Sequence, residues 1–255
     1  KTERRLIELA ALMARARDGA IKPLAIANAQ AQMDSAKMNI LFEHRQGLLS
    51  HATAFGKDLD VPVEPLIRID KNIADGISRT AREQQANLIV MGLGDRSLKT
   101  KLFGTLIDRV LWATHCPIAI TRLHQSPLDL QSILVPIKHI SATEAHKVQL
   151  TLALAQQCQA RITLLHIASA PISSQREHEI NSRMLALVGS SDHPVEITTT
   201  VVYRSSITRA IVNESSHHDL AVMRTHRRRT SAGGLSVGDI SGRILQQLKC
   251  SVVLL

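Results

Sequence analysis

The chain alternates helix-like and strand-like patterns of apolar residues, and it does so twice. Over residues 6–16 apolar side chains recur three and four positions apart, which predicts a helix, and the short apolar run at 21–29 predicts a strand. The same succession returns at 144–158 and 161–169. We therefore predict an internal repeat with a spacing of about 130–140 residues.

The correspondence continues to the ends of both halves. Short uninterrupted apolar runs indicate strands buried on both faces, and their alternation with helices predicts a parallel sheet covered on both sides. The fold class is therefore α/β, with two tandem open parallel-sheet domains. The further matching segments are the strands 63–69 and 195–202, the helices 73–85 and 207–216, the strands 87–91 and 219–223, and the strands 116–121 and 250–255.

The two predicted domains comprise residues 1–123 and 132–255, and the polar, proline-containing stretch 124–131 is the predicted linker. They differ at their starts. The second opens with the strand SILVPIK at 132–138, whereas the first opens directly on its helix. We therefore expect the first strand of domain 1 to be absent from this chain, and we interpret the chain as a fragment of a longer protein.

Composition narrows the classes of partner and compartment. The 31 Lys and Arg residues exceed the 22 Asp and Glu residues by nine, which favours polyanionic partners such as nucleotides or an anionic membrane surface. Nucleic acid is disfavoured because aromatic residues, the stacking platforms for bases, make up only 2% of the chain. Three widely spaced cysteines, no signal peptide and no apolar run of about 20 residues indicate a cytoplasmic location.

The richest candidate site follows the predicted strand at 87–91. Gly92 and Gly94 permit a sharp turn and a close backbone approach, and Arg96 and two nearby lysines supply positive charge. Gly104 and Thr105 open the next helix, whose free N–H groups favour an anion. A strand end, a glycine loop and a helix start at one sheet edge predict a phosphate site.

These residues resemble the ATP-binding members of the universal stress protein family, which carry G-x2-G-x9-G-[ST] after their fourth strand. Here the first glycine spacing is one residue short, and Gly94 to Gly104 spans the nine intervening residues. The resemblance implies strand order 3-2-1-4-5 in each domain, ATP or another adenine nucleotide at the loop, and a regulatory or stress-response role. It also implies pairing of the last strands, residues 117–121 against 251–255, and leaves a role for Mg²⁺ open.

The second half departs from that pattern. Arg224 and Arg227 stand where the first two glycines belong, and Asp239 replaces the Ser or Thr of the last pair. Lys138 falls near the acid that contacts adenine in the family. We expect the second domain to have lost ATP binding, and in the first domain that acid would lie on the absent strand.

Tandem domains of this kind also resemble cytoplasmic tails of cation/proton antiporters. The resemblance implies an attached transporter or an anionic membrane surface as partner, and it allows a homo-oligomer. Two alternatives stay open: a ligand-free structural or interaction scaffold, and a slow ATP hydrolase whose only nearby candidate carboxylate is Asp95. We assign no catalytic residue and no metal ligand, and we favour a protein that is not an enzyme.

Four other patterns could suggest a functional site but have simpler structural interpretations. The G-x-S-x-G match at 234–238 is separated from the preceding strand by a basic loop, unlike a nucleophile elbow. The histidines at 217, 218 and 226 lack metal-ligand spacing. Arginines 227–229 are either solvated or contact an acidic partner, and Trp112 is expected in a core or an interface.

Overall fold

The computed structural model describes residues 2–28, 35–93, 105–189, 194–224, 227–229, 235–237 and 239–255. The chain divides into two compact units, Lys1–Ala119 and Ile120–Leu255, which are described separately. No helix in the described part of the chain combines the length and apolar character that a bilayer crossing requires.

The first unit alternates helices with short strands. Its elements are α1 (Thr2–Arg15), β1 (Leu24–Asn28), α2 (Ser35–Asp58), β2 (Leu66–Asp70), α3 (Ile73–Glu83), β3 (Ile89–Gly92), α4 (Thr105–Ala113) and the first residues of β4 (Ile118–Arg122). β1 and β2 are parallel, with Leu24 opposite Leu66, and the Ile89 N–H donates to Pro117 O beside the start of β4 at 3.0 Å. The sequence analysis did not predict α2.

The second unit contains a five-stranded parallel sheet. Its elements are β5 (Ser132–Pro136), α5 (Ala142–Cys158), β6 (Arg161–Ala168), α6 (Ser174–Ala186), β7 (Ile197–Tyr203), α7 (Ile207–Ser215), β8 (Leu220–Met223), β9 (Arg227–Arg229), β10 (Leu235–Val237), α8 (Asp239–Gln247) and β11 (Ser251–Leu254). The order β7-β6-β5-β8-β11 is the predicted 3-2-1-4-5 arrangement. On the outer edge of β11, residues 120–122 pair antiparallel with 252–254, which overlaps the expected pairing of 117–121 with 251–255.

The central strand of the second unit is the most deeply buried part of its sheet. Ile133, Leu134 and Val135 in β5 are each 0% exposed, because β6 and β8 flank the strand and helices cover it. A run that is apolar on both faces is therefore what this position requires, as the sequence pattern indicated.

The helices α1 and α5 end in the same way, which gives the repeat an exact register. Asp18 and Gln159 both have positive φ angles, 49° and 55°. The next residue then donates its N–H back into the helix, Gly19 to Ala14 O at 2.9 Å and Ala160 to Ala155 O at 3.0 Å. Residue n of α1 therefore corresponds to residue n + 141 of α5.

Candidate functional site

The structure places the two ends of the predicted phosphate loop. Gly92 is the last residue of β3, and Thr105 is the first residue of α4. Gly94, Arg96 and Gly104 lie outside the described residues, as does Asp95. The described elements thus provide a strand end and a helix start, the two features that bound a phosphate loop in open α/β folds.

Gly92 is packed closely against the first helix. A Cβ atom at this position would lie 3.2 Å from Leu6 Cδ1, which is tighter than ordinary van der Waals contact. Leu93, the next residue, is buried at 6% exposure. Glycine at the end of β3 therefore lets α1 and the strand end approach each other where a larger residue would push them apart.

The helix that follows the loop carries a carboxyl group in its first turn. One oxygen of Asp108, Oδ1, is buried without a hydrogen-bond partner among the described residues, and burial raises the pKa of this group. Arg109 lies 3.9 Å from Asp75 of α3, an exposed contact that contributes little. Asp108 therefore places a partly buried carboxyl group in the first turn of the helix that follows the loop.

Charged side chains at the carboxyl end of β2 pair with one another. Asp70 is 8% exposed, accepts from the Asn72 N–H at 3.2 Å and forms ion pairs with Arg79 and Arg68. Arg68 also donates from Nη2 to Glu83 Oε1 at 2.9 Å, and this contact raises the pKa of Arg68 and lowers that of Glu83. These contacts join the end of β2 to both the start and the end of α3.

The second unit has a different structure at the equivalent edge. Met223 ends β8, the half-buried Arg224 follows, and residues 227–229 pair antiparallel with 235–237 in a short hairpin before α8 begins at Asp239. The basic run is therefore part of a hairpin. Ser236 lies in the middle of β10, and a nucleophile elbow would need it at a strand-to-helix turn.

A buried ion pair, which the sequence analysis missed, occupies the carboxyl end of β5. Lys147 Nζ lies 2.6 Å from Glu144 Oε2 and donates to Pro136 O at 2.6 Å, and both side chains are at most 6% exposed. Burial lowers the pKa of Lys147, Glu144 opposes that shift, and the charge of Arg224 adds to it.

This pair lies at the switch point of the sheet, between β5 and β8, where open α/β folds bind their ligands. A sequence signal was present, because Glu144 and Lys147 are three positions apart and adjoin the apolar face of α5. Ser141 does cap that helix, accepting from the Glu144 N–H at 3.3 Å. The Glu144 carboxylate pairs with Lys147 and does not complete a capping box with Ser141.

The repeat register shows how the two sites diverged. Lys147 corresponds to Leu6 in the n + 141 register. Arg224 corresponds to Gly92, because each follows the methionine that ends the aligned runs 219–223 and 87–91. The first unit thus has an apolar side chain over a glycine, and the second has two cations, of which Lys147 pairs with Glu144. The two units therefore differ in charge at equivalent positions.

The histidine cluster has structural partners. His218 Nδ1 lies 2.8 Å from Glu214 O and Nε2 lies 3.0 Å from Thr163 Oγ1. Within the described ranges no group of three or more His, Cys, Asp or Glu residues is placed to hold a metal ion. Trp112 is 50% exposed, so it is not a core residue.

A model of the universal stress protein family matches residues 1–122 and again residues 130–255. The Na(+)/H(+) antiporter NhaS5 of Synechocystis sp. (strain ATCC 27184 / PCC 6803 / Kazusa) is 36% identical to the chain over 251 residues. Those residues are 98% of this chain and 36% of the antiporter, so the chain spans about a third of the length of this curated relative.

Solved structures show the same fold. A universal stress protein from Archaeoglobus fulgidus DSM 4304 has a TM-score of 0.63 at 13% identity, covering 98% of this chain and 90% of that one. The cytoplasmic domain of a prokaryotic cation chloride cotransporter has a TM-score of 0.53 at 11% identity, covering 92% and 84%. At these identities the likeness establishes the architecture alone.

Strand order, repeat register and loop position together define a tandem pair of open, parallel-sheet α/β domains. The chain belongs to the universal stress protein family, whose model it matches once in each half.

Proposed function

We propose that this chain is the cytoplasmic, nucleotide-responsive regulatory module of a cation/proton antiporter. The observation that carries the transporter assignment is the 36% identity to the Synechocystis antiporter over almost the entire chain. The same fold occurs in the cytoplasmic domain of the cotransporter, and it is therefore compatible with a cytoplasmic position for this chain. The net charge of +9 also suits the anionic surface of a cytoplasmic leaflet.

In this proposal the first unit binds an adenine nucleotide, with ATP as the leading candidate. Gly92, Gly94, Arg96, Gly104 and Thr105 would hold the phosphates, the backbone through N–H groups at the start of α4 and Arg96 through its charge. The fit rests on two described features, the strand end at Gly92 and the helix that starts at Thr105. The nucleotide would supply a phosphate charge that reports cellular energy state to the module.

The second unit serves as scaffold and sensor surface. Its switch point is filled by the Glu144–Lys147 pair, and Asp239 at the start of α8 would repel a phosphate. Binding at one unit and not at the other would let nucleotide act as a single-site signal.

Two other functions from different classes are separable by experiment. A ligand-free interaction scaffold would bind no nucleotide, and a slow ATP hydrolase would release phosphate with a turnover that depends on Thr105. We favour regulation because we assign no general base: in the described part of the first site the nearby carboxyl group is Asp108, and no described group hydrogen-bonds to its buried Oδ1 to orient it.

Calorimetric titration with ATP, ADP and AMP tests the nucleotide site. Thr105→Glu places a negative charge at the helix start and should weaken binding roughly 10- to 1,000-fold, at about 1.4 kcal/mol per tenfold. Gly104→Val should act similarly through its branched side chain. Thr105→Ser keeps the hydroxyl group and is the matched control, for which we expect parental affinity. Equal affinity in all variants would reject this loop as the phosphate site.

The regulatory role is tested in the antiporter that carries this module. Cation-driven proton movement into vesicles should change with nucleotide on the module side, and Thr105→Glu should abolish that response while leaving basal exchange intact. A nucleotide response that survives Thr105→Glu would place the sensor elsewhere.

A further inference from the structure

The last strand on one side of the second unit's sheet has an outer edge that faces no strand among the described residues. This strand is β7, which pairs with β6 on its inner side. The Ile162 N–H donates to Glu196 O at 2.9 Å, and at the other end the Arg204 N–H donates to Ala168 O at 3.4 Å. Backbone groups alternate in direction along a strand, so the even-numbered residues bond to β6 and the odd-numbered residues point outward. The outward residues are Ile197, Thr199, Val201 and Tyr203.

The equivalent edge of the first unit carries a proline. The Ile21 N–H, at the position of Ile162 in the n + 141 register, donates to Pro62 O at 2.9 Å, so residue n of β2 and its approach corresponds to residue n + 134 of β7. Pro65 therefore stands at the position of Thr199, where the backbone faces outward. Proline has no N–H to offer there, and proline at such positions protects edge strands from pairing with other chains.

Strand β7 lacks this protection. Its seven residues include no charged residue and no proline, and they are half-buried or exposed. Tyr203, at the end of the strand, is 47% exposed. The Arg204 guanidinium donates from Nη1 to Tyr203 O at 2.8 Å and so contacts one outward carbonyl. A long, uncharged edge of this kind is a template for another strand.

We propose that β7 pairs antiparallel with β7 of a second copy of this chain, across a twofold axis beside Thr200. Twofold symmetry makes the contact self-complementary, with Thr200 opposite the same residue of the other copy. Ile197 then lies opposite Tyr203 of the partner subunit, and Thr199 lies opposite Val201 of the partner subunit. Each of these outward pairs exchanges two hydrogen bonds, so the register uses the whole edge. This inference does not depend on nucleotide binding.

Charge complementarity supports a second copy as the occupant of this edge. Glu196 and Arg204 are exposed and directly flank the two ends of β7. In the register centred on Thr200, Glu196 lies opposite Arg204 of the partner subunit, and the symmetry repeats this pair at the other end. Tyr203 O would accept from Ile197 of the partner subunit, which releases the Arg204 guanidinium to the carboxylate. The tyrosine and the isoleucine also form an aromatic and β-branched cross-strand pair, a favourable combination.

Sedimentation over a range of concentrations tests the dimer, for which we expect a reversible monomer–dimer equilibrium. Thr199→Pro reproduces Pro65 and removes an N–H that makes no bond within the sheet. It should raise the dimer dissociation constant at least about tenfold. Thr199→Val keeps both the N–H and the β-branched shape and is the matched control, for which we expect parental dimerisation. Melting temperatures of the dilute, monomeric variants verify that both remain folded.

A single cysteine tests the register. Thr200→Cys places a thiol opposite its own copy in a pair that exchanges no hydrogen bonds, with about 4.5 Å between Cα atoms, which a disulfide can span. Mild oxidation should therefore give a covalent dimer, which Thr199→Pro should prevent. Thr198→Cys lies opposite Val202 of the partner subunit and should not cross-link to itself. The parent chain, with its three half-buried native cysteines, measures any background cross-linking.

Charge reversal tests the proposed ion pairs. Arg204→Glu and Glu196→Arg should each raise the dimer dissociation constant by roughly two- to fivefold, because the pairs are exposed. The double variant restores the opposition of charge and should dimerise like the parent. A chain that stays monomeric at every concentration would overturn the proposal, as would a dimer that Thr199→Pro leaves intact. Cross-linking at position 198 as efficient as at 200, or single reversals without effect, would also overturn it, because the register would then be wrong.

Discussion

The ammonium group of Lys147 lies 2.6 Å from Glu144 Oε2 at the carboxyl end of the central strand of the second unit. In the repeat register Leu6 occupies the position of Lys147, and a glycine occupies that of the nearby Arg224. The two units thus share a fold and differ in charge at the point where this fold places ligands. Buried ion pairs are costly to break, so this difference has a measurable consequence for stability.

Replacing Lys147 with methionine should destabilise the chain strongly. The substitution leaves the Glu144 carboxylate buried without its cation, which typically costs about 3–5 kcal/mol. Urea unfolding at pH 7 would measure the loss. The double variant Glu144→Gln/Lys147→Met removes both charges and should recover most of it, and strictly additive losses would show that the two groups are not coupled.

The repeat and the parallel sheet could be predicted because they rest on apolar runs, and an uninterrupted run such as Ile133–Val135 is typical of a strand buried on both faces. The strand order was implied by the family resemblance and not by the apolar pattern. The ion pair could not, since a lysine next to an apolar stripe usually extends to solvent. Its burial depends on Pro136 O and Glu144, which the fold brings to it. The phosphate-binding role of the loop was inferred from its residue types alone, so the roles of Gly94, Arg96 and Gly104 remain predictions.

Helix α2 was not predicted, and its glycines give the physical reason. It contains Gly47 and Gly56, and glycine inside a helix normally costs about 1 kcal/mol relative to alanine. A Cβ atom on Gly56 would lie 2.0 Å from Val63 Cγ2, so this glycine is required for close packing that no local pattern reveals. A Cβ atom added to Gly47 would have nothing within 4 Å, apart from its chain neighbours and the backbone of its own helix.

These two glycines should therefore respond oppositely to alanine. Gly47→Ala should stabilise the chain by about 0.5–1 kcal/mol, because the helix loses less entropy on folding. Gly56→Ala should destabilise it by about 1–3 kcal/mol, since Val63 is β-branched and cannot move aside freely. Thermal unfolding of the two variants side by side measures both effects, and a stabilising Gly56→Ala would show that α2 and Val63 are less closely packed than described.

Asp219 should make stability depend on pH. Its Oδ2 accepts from Gln131 N and Ser132 N, each at 3.0 Å, and from Ser132 Oγ at 2.9 Å. Burial works to raise the pKa of Asp219, but these bonds and one from Gln125 together lower it. A carboxyl group with a lowered folded-state pKa stabilises the fold above its unfolded pKa of about 3.9, and this contribution is lost as pH falls through the folded value.

Asp219→Asn should accordingly cost about 1–2 kcal/mol at pH 7, because the charge-assisted bonds are weakened. The difference between variant and parent should shrink as the pH falls below about 4. Guanidinium unfolding at pH 7 and pH 3 measures both values. If variant and parent differ in unfolding free energy by the same amount at both pH values, the charge of Asp219 does not contribute to the strength of its hydrogen bonds.

Transferring one residue between the units tests why only the first is proposed to bind nucleotide. Gly92→Arg reproduces Arg224, and its side chain would fill the space that Leu6 already approaches at the end of β3. Although arginine adds a positive charge, we expect weaker nucleotide binding, by roughly 10- to 1,000-fold, because the backbone can no longer approach the phosphates. Gln46→Arg adds the same charge at an exposed position on another helix, α2, and is the control.

The reverse substitution, Arg224→Gly, should not create a second site, since Lys147, Glu144 and Asp239 remain in place. Calorimetry with ATP, alongside the melting temperature of each unliganded variant, separates lost binding from lost folding. If Gly92→Arg stays folded and binds more tightly than the parent, and Gln46→Arg does the same, then electrostatic attraction governs the site. Close backbone approach at Gly92 would then not distinguish the two units.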